Sequence, residues 1–141
     1  TGARLRVITA EARSYLGVTA AGRRRYDVVA SDCFGGAEPV RALATVEALR
    51  LVKRSLNPGG IYAANIVTRA GGTDVSFLRD CAATALAVFG HAWVIPCADE
   101  AFGGEGNYLL VASDGDYSFA EAVPFDGDFL GEELHDPEIV L

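Results

Sequence analysis

The sequence lacks any apolar run long enough to cross a bilayer, and its N-terminus lacks the basic, apolar and small-residue regions of a signal peptide. Its three cysteines, Cys33, Cys81 and Cys97, are far apart and form no C-x-x-C pair, which argues against a disulfide framework and against a zinc site. His91 and His135 have no metal-type ligands near them in the sequence. We therefore expect a cytoplasmic protein with reduced thiols that binds no metal and enters no membrane.

Basic residues are scarce in the second part of the chain. Ten basic and five acidic residues precede Ser55, whereas two basic and fourteen acidic residues follow from there, and the net charge is −7. Because a duplex-DNA binder needs a basic face, this balance predicts no nucleic-acid partner. The triplet from Arg23 to Arg25 lies just before a strand pattern and is typical of a solvated turn.

Strand and helix patterns alternate from residue 4 to residue 113, within a chain of 141 residues that suits one domain. Strands are predicted at Arg4–Thr9, Tyr26–Ala30, Ile61–Val67, Ala92–Cys97 and Asn107–Ser113, and helices at Ala10–Ala21, Arg41–Leu56 and about 73–89. No helix fits between the last two strands, which indicates an antiparallel pair at one edge of the sheet. The order predicts an α/β fold with a Rossmann-like, doubly wound, mostly parallel sheet.

The remaining residues, 114–141, form an acidic C-terminal tail with nine acids and no Lys or Arg. One interpretation is a solvated and loosely packed segment. Four apolar residues favour the alternative that part of the tail packs on the domain or on a partner chain; they are Phe119, Phe125, Phe129 and Leu130.

Asp32 follows a strand pattern that is apolar almost throughout, YDVVA, and the chain then breaks at Gly35 and Gly36. An unbroken β-branched and apolar run suits a strand covered on both faces. Ligands of open α/β sheets bind outside the carboxyl ends of such strands, so we expect chemistry at Asp32. The alternative is an aspartate that caps the following turn.

Three stretches carry a resemblance to a known family: RLRVITAEARSYL from Arg4, YDVVASDCF from Tyr26, and LATVEALRLVKRSLNPGGIYAANIV from Leu43. They resemble the spermidine synthases, the polyamine aminopropyltransferases of the class I S-adenosylmethionine-dependent methyltransferase fold. The resemblance covers about residues 4–113. It implies a transferase that uses decarboxylated S-adenosylmethionine or S-adenosylmethionine and a polyamine, with no metal. Without the first two strands of such a fold, the sheet would expose an apolar edge and face, so we expect a partner chain in a homo-oligomer, or the rest of the protein, to cover it.

The resemblance also implies roles for individual residues. Cofactor contacts fall on Glu11, Ala12, Asp32 and Cys33, with Glu11 in the position of an aspartate that binds the adenine amino group. Asp32 matches the first acid of the family's D-x-x-D segment and is the candidate catalytic base. The second acid falls on Gly35, and Glu38 is a candidate substitute that would bind substrate together with Asn65.

Some of these residues also have plainer interpretations. Glu11 could be an acid favoured by a helix dipole. Asn65 could line the pocket or bond a loop backbone.

The sequence leaves three functions open. The family's glycine-rich loop would lie upstream of Thr1, so we expect the chain to be a portion of a longer protein that lacks the N-terminal strands. The first function is aminopropyl transfer. Gly35 in place of an acid gives weight to the second, methyl transfer to an unknown acceptor, and to the third, a catalytically silent and perhaps dimeric Rossmann-like module.

Overall fold

The computed structural model describes residues 2–35, 38–68, 74–97, 106–123, 125 and 127–137. Within these residues, three α-helices and six strands follow one another: α1 (Ala12–Ala21), β1 (Tyr26–Ser31), β2 (Phe34–Gly35), β3 (Glu38–Pro39), α2 (Val46–Ser55), β4 (Leu56–Val67), α3 (Ser76–Val88), β5 (His91–Pro96) and β6 (Asn107–Ser113). Short 3-10 helices span Arg41–Leu43 and Gly127–Phe129. Among the described residues, no helix is long and apolar enough to span a membrane.

The four longer strands form one sheet in the order β1-β4-β6-β5. β1 and β4 are parallel, and β6 lies between β4 and β5 and runs antiparallel to both. Three of the four strands therefore share one direction. The predicted antiparallel pair of β5 and β6 is confirmed at one edge of the sheet.

β4 begins at Leu56 rather than at Ile61, where the sequence predicts it. The Asn57 to Gly60 stretch was expected to form a loop, but it continues the strand. Gly59 has a φ of 73° there, and the register with β1 shifts between Tyr26 and Val28. A glycine at positive φ lets the irregular segment bend without leaving the sheet.

α2 and α3 pack on one face of the sheet, and α1 packs beside α2. The pleat sends alternate residues to opposite faces, and the core consists of the residues that face the helices. From the strands these are Tyr62, Ala64, Ile66, Val94, Leu110 and Ala112, and from α2 and α3 they include Leu49, Val52, Leu78, Cys81, Ala82 and Ala85. The opposite face, which no described helix covers, carries Val28, Ala63, Asn65, Trp93, Asn107, Leu109 and Val111. We call it the helix-free face.

Local sequence explains the ends of α2. The Thr45 side chain caps its N-terminus by accepting a hydrogen bond from the Ala48 N–H at 3.2 Å. Lys53 and Arg54 lie in its last turn, where cations complement the helix dipole. Lys53 Nζ also contacts Asp114 Oδ2 at 2.8 Å, which ties the helix end to the residue after β6.

The prediction of a strand at Arg4–Thr9 was wrong. These residues have no regular secondary structure, and the side chains of Leu5 and Val7 are 89% and 82% exposed. A strand is stable only when a neighbour satisfies its backbone groups. No described strand lies beside this segment, because β1 pairs only with β4 within the part of the chain that is described.

The first part of the acidic tail packs on the sheet. The rings of Tyr117 and Phe119 lie 6.5 Å and 5.2 Å from that of Trp93. The Tyr117 hydroxyl donates to the carbonyl of Gly59 at 2.6 Å. The Val123 N–H donates to the Val94 carbonyl at 2.8 Å, which extends the sheet at its β5 edge.

The second part of the tail, residues 127–136, crosses the helices and is called here the C-terminal strap. The Arg79 guanidinium donates to the carbonyls of Asp128 and Phe129, the latter at 2.8 Å. The Leu134 N–H donates to Thr84 Oγ1 at 2.8 Å, and the Leu134 carbonyl accepts the Val46 N–H at 2.8 Å. The tail therefore packs on the domain itself, and its described residues are not a loosely packed segment.

Candidate functional site

The carboxyl ends of β1 and β4 bring together two of the predicted site residues, Asp32 and Asn65. Ser31 pairs with Ala64 in the parallel register, so the next residue of each strand lies beside the other. Asn65 Nδ2 donates a hydrogen bond to Asp32 Oδ1 at 3.0 Å. The sequence suggested a pocket or a loop backbone as the partner of Asn65, whereas the structure gives it the Asp32 carboxylate.

The loop after Asp32 folds back as a small hairpin. β2 and β3 pair antiparallel, with Gly35 directly opposite Glu38. The Val40 N–H donates to the Cys33 carbonyl at 3.4 Å and closes the loop. The Cα atoms of residues paired in this way lie about 4.5–5.5 Å apart. The side chain of Glu38 lies outside what the structure describes.

Glu11 forms the N-cap of α1, with both carboxylate oxygens bonded to the backbone. Oε1 accepts from the Arg13 N–H at 2.9 Å, and Oε2 accepts from the Ser14 N–H at 2.7 Å. These bonds, above all the one from Ser14, lower the pKa of Glu11. The interpretation as a helix N-terminal acid therefore has a direct structural basis. Each oxygen has a second lone pair that could accept another hydrogen bond.

A cleft of about 650 Å³ lies along the outer edge of β1, within the size range of small-molecule pockets. Its walls come mainly from residues 4–8, α1 and β1, with further residues from α2 and β4, and they are mostly apolar; three arginines lie among them, Arg4, Arg6 and Arg24. Ala12 and Cys33, for which the resemblance implies cofactor contacts, are among the residues that line this cleft. Asp32, Glu11 and Asn65 are not among the residues that line it.

Tyr62 also lines the cleft, although nothing in the sequence singles it out. Burial raises the pKa of its hydroxyl, so the group is a neutral hydrogen-bonding partner. Its place on β4 beside Val29 of β1 brings it to the cleft.

Within the described residues, no group of three or more His, Cys, Asp or Glu side chains could hold a metal ion. The three thiols are free, with Cys81 buried, Cys33 half-buried and Cys97 exposed. Burial raises the pKa of the Cys81 thiol to about 12. Cys81 is therefore a core residue without nucleophilic character.

The chain is similar to several solved structures. A probable spermidine synthase from Corynebacterium glutamicum is 31% identical over 73% of this chain and 37% of its own, with a TM-score of 0.59. The chain has a spermidine-synthase-like fold of the class I methyltransferase type. Human methyltransferase-like protein 13, solved in complex with SAH, is 24% identical over 84% of this chain and 52% of its own, with a TM-score of 0.64.

The chain is also similar in structure to a spermidine synthase in complex with the transition-state analogue AdoDATO. It is 18% identical over 94% of this chain and 44% of its own, with a TM-score of 0.65. The chain thus spans roughly two-fifths to one-half of the length of these three structures. No protein-family model and no curated protein sequence matches the chain.

Proposed function

We propose that the protein is a transferase that moves an aminopropyl group from decarboxylated S-adenosylmethionine to a polyamine. The observation that carries this proposal is the Asp32 carboxylate, which follows β1 and is bonded to Asn65 of β4 at 3.0 Å. This is the end of a parallel strand pair, where ligands of open α/β sheets bind. The solved structures of spermidine synthases support the same reaction class.

The reaction needs a group that takes a proton from an ammonium. The deprotonated amine attacks the methylene carbon beside the sulfonium, the C–S bond breaks, and its electron pair stays on sulfur as methylthioadenosine leaves. On this proposal, Asp32 holds the ammonium and accepts its proton. A general base of this kind contributes roughly a hundred- to ten-thousandfold to the rate.

Asn65 has a positioning role in this proposal. The side-chain amide of Asn65 donates a hydrogen bond to Asp32 Oδ1, and no described residue donates one to Asp32 Oδ2. The bond fixes the carboxylate, and Oδ2 is left to bind the amine. The resemblance also implies that Asn65 contacts the substrate, and its amide oxygen can accept a hydrogen bond from the ammonium.

Glu38 is the proposed second acid. Its Cα lies directly opposite that of Gly35, the position where the related enzymes carry an acid. The backbone of Glu38 therefore lies about one strand spacing, roughly 4.8 Å, from the backbone at the family's position. We propose that Glu38 binds the substrate cation from there.

The proposed co-substrate site uses the edge of the cleft. Ala12 and Cys33 line it, and Glu11 lies at the start of α1 beside Ala12. The neighbouring structures contain SAH and AdoDATO, which supports a co-substrate of the S-adenosylmethionine type. On this proposal, Glu11 retains its capping bonds and accepts the adenine amino group with a remaining lone pair.

The test is turnover and binding by the full-length protein, with Asp32→Asn compared to Asp27→Asn. Asp27 is the matched control, because its Oδ1 accepts from Asn57 Nδ2 at 2.8 Å and thus forms a second Asp–Asn pair between β1 and β4. Calorimetry with decarboxylated S-adenosylmethionine and methylthioadenosine should show binding. Putrescine-dependent turnover should fall at least a hundredfold in Asp32→Asn and stay unchanged in Asp27→Asn. Equal activities of the two variants would contradict the role of Asp32.

Methyl transfer is the second candidate function, favoured by the similarity to methyltransferase-like protein 13 and by Gly35 in place of an acid. Preference for intact S-adenosylmethionine in the same titration would support it. Absence of binding of all three ligands would leave a silent module.

We also propose that the protein is a homo-oligomer. Val28 on the helix-free face is 56% exposed, and the outer edge of β1 has no described strand beside it. Exposed apolar faces and open strand edges are commonly covered by other chains or by the rest of the same protein, and we propose that another chain takes part here. A monomer in sedimentation analysis of the full-length protein would contradict this proposal.

A further inference from the structure

Basic side chains line two shallow clefts that lie away from Asp32. One cleft, of about 480 Å³, lies between the C-terminal halves of α2 and α3. The other, of about 370 Å³, lies at the amino ends of β1 and β4, and Lys53 lines both. The cations of the two clefts, called here the basic patch, are Arg25, Arg50, Lys53 and Arg54. Asp114 is the one acid among the described lining residues, so the clefts carry a local charge of +3 in a chain of net charge −7.

The protein's own acids do not neutralise the basic patch. Lys53 Nζ contacts Asp114 Oδ2 at 2.8 Å. The three arginines form no ion pair with any residue that the structure describes. Arg25 and Arg54 donate hydrogen bonds to backbone carbonyls of their own segments. All three arginines are exposed, so their charges are available to an anion.

The spacing of the cations on α2 has an energetic cost. Arg50 lies three residues before Lys53 and four before Arg54, which places them on one face of the helix. Like charges at this spacing destabilise a helix. The helix dipole offsets the cost for Lys53 and Arg54 in the last turn, whereas Arg50 lies one turn earlier. A cluster that is kept at such a cost, without acids to balance it, indicates a surface that binds an anion.

The clefts favour an acidic peptide over a nucleic acid. Single-stranded nucleic acids bind through bases that stack on exposed aromatic rings. Among the described lining residues, Phe89 is the one aromatic, and it is only 4% exposed, with its ring stacked on that of Tyr62. The surface beside the cations is aliphatic and comes from exposed Ala87 and half-buried Val88. Carboxylates interspersed with aliphatic side chains match both features.

We propose that the basic patch docks an acidic segment of another protein, whose carboxylates bind its arginines and whose aliphatic side chains cover Ala87 and Val88. The patch lies at the opposite end of β1 from Asp32, so this inference does not rest on the proposed function. Ion pairs between exposed groups contribute little each and are screened by salt. The complex is therefore weak and depends on ionic strength.

The test measures the binding of a fluorescein-labelled peptide of repeated Glu-Glu-Leu to the full-length protein by fluorescence anisotropy. The double variant Arg50→Glu/Arg54→Glu should weaken binding about ten- to a hundredfold at low salt, because two attractive charges become repulsive. Arg4→Glu/Arg6→Glu is the matched control, since it makes the same change in net charge at two exposed arginines that line neither cleft. At about 0.1 M salt, where the screening length is roughly 10 Å, the control should lose at most about threefold.

Two further variants separate charge from folding. Arg50→Lys/Arg54→Lys should keep binding within about threefold of the wild type, because exposed cations act here as point charges. Glutamate has nearly the helix propensity of arginine, so the charge reversal should leave α2 folded. If thermal unfolding shows that it does not, Arg50→Gln/Arg54→Gln provides the same comparison with a smaller loss.

Each other outcome contradicts the proposal in a different way. An equal loss in the two charge-reversal variants would show a general effect of net charge, and no binding by the wild type at low salt would remove the docking surface altogether. Tighter binding of a labelled oligothymidylate of the same charge would identify a nucleic-acid surface instead. If Arg50→Glu/Arg54→Glu converts an oligomer to monomers in sedimentation analysis, the occupant is a second copy of the chain and not another protein.

Discussion

Replacing Gly131 with alanine should detach the C-terminal strap from α3. A Cβ atom at Gly131 would contact Asp80 Oδ1 and would lie 2.8 Å from the Asp80 nitrogen and 3.0 Å from the Arg79 carbonyl carbon. Two of these three atoms belong to the helix backbone, which cannot yield as a flexible side chain would. The strap must therefore move away from the helix.

The structure gives the expected size of this effect. The displacement would break the hydrogen bond from the Gly131 N–H to the Arg79 carbonyl at 3.0 Å and that from the Glu132 N–H to Asp80 Oδ1 at 2.9 Å. At about 0.5–1.5 kcal/mol for each bond, the free energy of unfolding should fall by about 1–3 kcal/mol. Loss of the neighbouring bonds of Arg79 would bring the value towards the upper end.

Gly127→Ala is the matched control, because nothing lies within 4 Å of a Cβ atom at Gly127. Both substitutions reduce the entropy of the unfolded chain by the same amount, so this contribution cancels when the two variants are compared. Urea unfolding followed by the fluorescence of the single tryptophan, Trp93, measures the difference. Equal stability of the two variants would refute the assignment of the strap contacts.

Three further predictions concern the helices, the charges and the thiols. Gly17→Ala in α1 should raise stability in urea by about 0.5–1 kcal/mol, since the added methyl meets nothing within 4 Å and alanine favours helix; a loss would contradict this. The hydrogen bond from Lys53 lowers the pKa of Asp114 in the folded protein. The stability that this bond contributes is therefore fully present above the unfolded pKa of about 3.9 and is lost as the pH falls through the lower folded pKa. Asp114→Asn should therefore lower the free energy of unfolding by at most about 1 kcal/mol at pH 7, because the Lys53–Asp114 ion pair is half exposed. The stabilities of variant and wild type should converge as the pH falls. A difference that stays constant with pH would argue against the ion pair. A thiol reagent should label exposed Cys97 first and buried Cys81 last, and mass spectrometry that finds equal rates would contradict the burial of Cys81.

The sequence predicts the core of the sheet well. The predicted strand Asn107–Ser113 has the observed bounds, and Tyr26–Ala30 ends one residue short of β1. Both patterns are rich in β-branched, aromatic and apolar residues, which favour strands. The stretch from Leu56 to Gly60 was predicted less well, because asparagine, proline and glycine usually end a helix or strand. In the structure, the hydroxyls of Tyr117 and Ser113 donate hydrogen bonds to the carbonyls of Gly59 and Gly60 and hold this stretch at the sheet.

The candidate site shows where prediction from one sequence stops. Asp32 could be singled out by its place after an apolar strand. Its bond to Asn65 depends on the parallel register of β1 and β4, and the pairing of Gly35 with Glu38 depends on the hairpin geometry. Neither register follows from periodicity, which assigns a residue to a face but not to a neighbour on another strand.

The strap also sets an order of events during synthesis. It joins residues that are distant along the chain, with 50 positions between Arg79 and Phe129 and 89 between Glu47 and Asp136. At roughly 5–20 residues per second, a ribosome synthesises the strap about 3–10 s after Arg79, the α3 residue that binds it. During that interval, the surface that Phe129, Leu130 and Leu134 later cover has no local segment to protect it. A nascent chain of this protein should be most open to chaperones, and to association with other nascent chains, in those seconds.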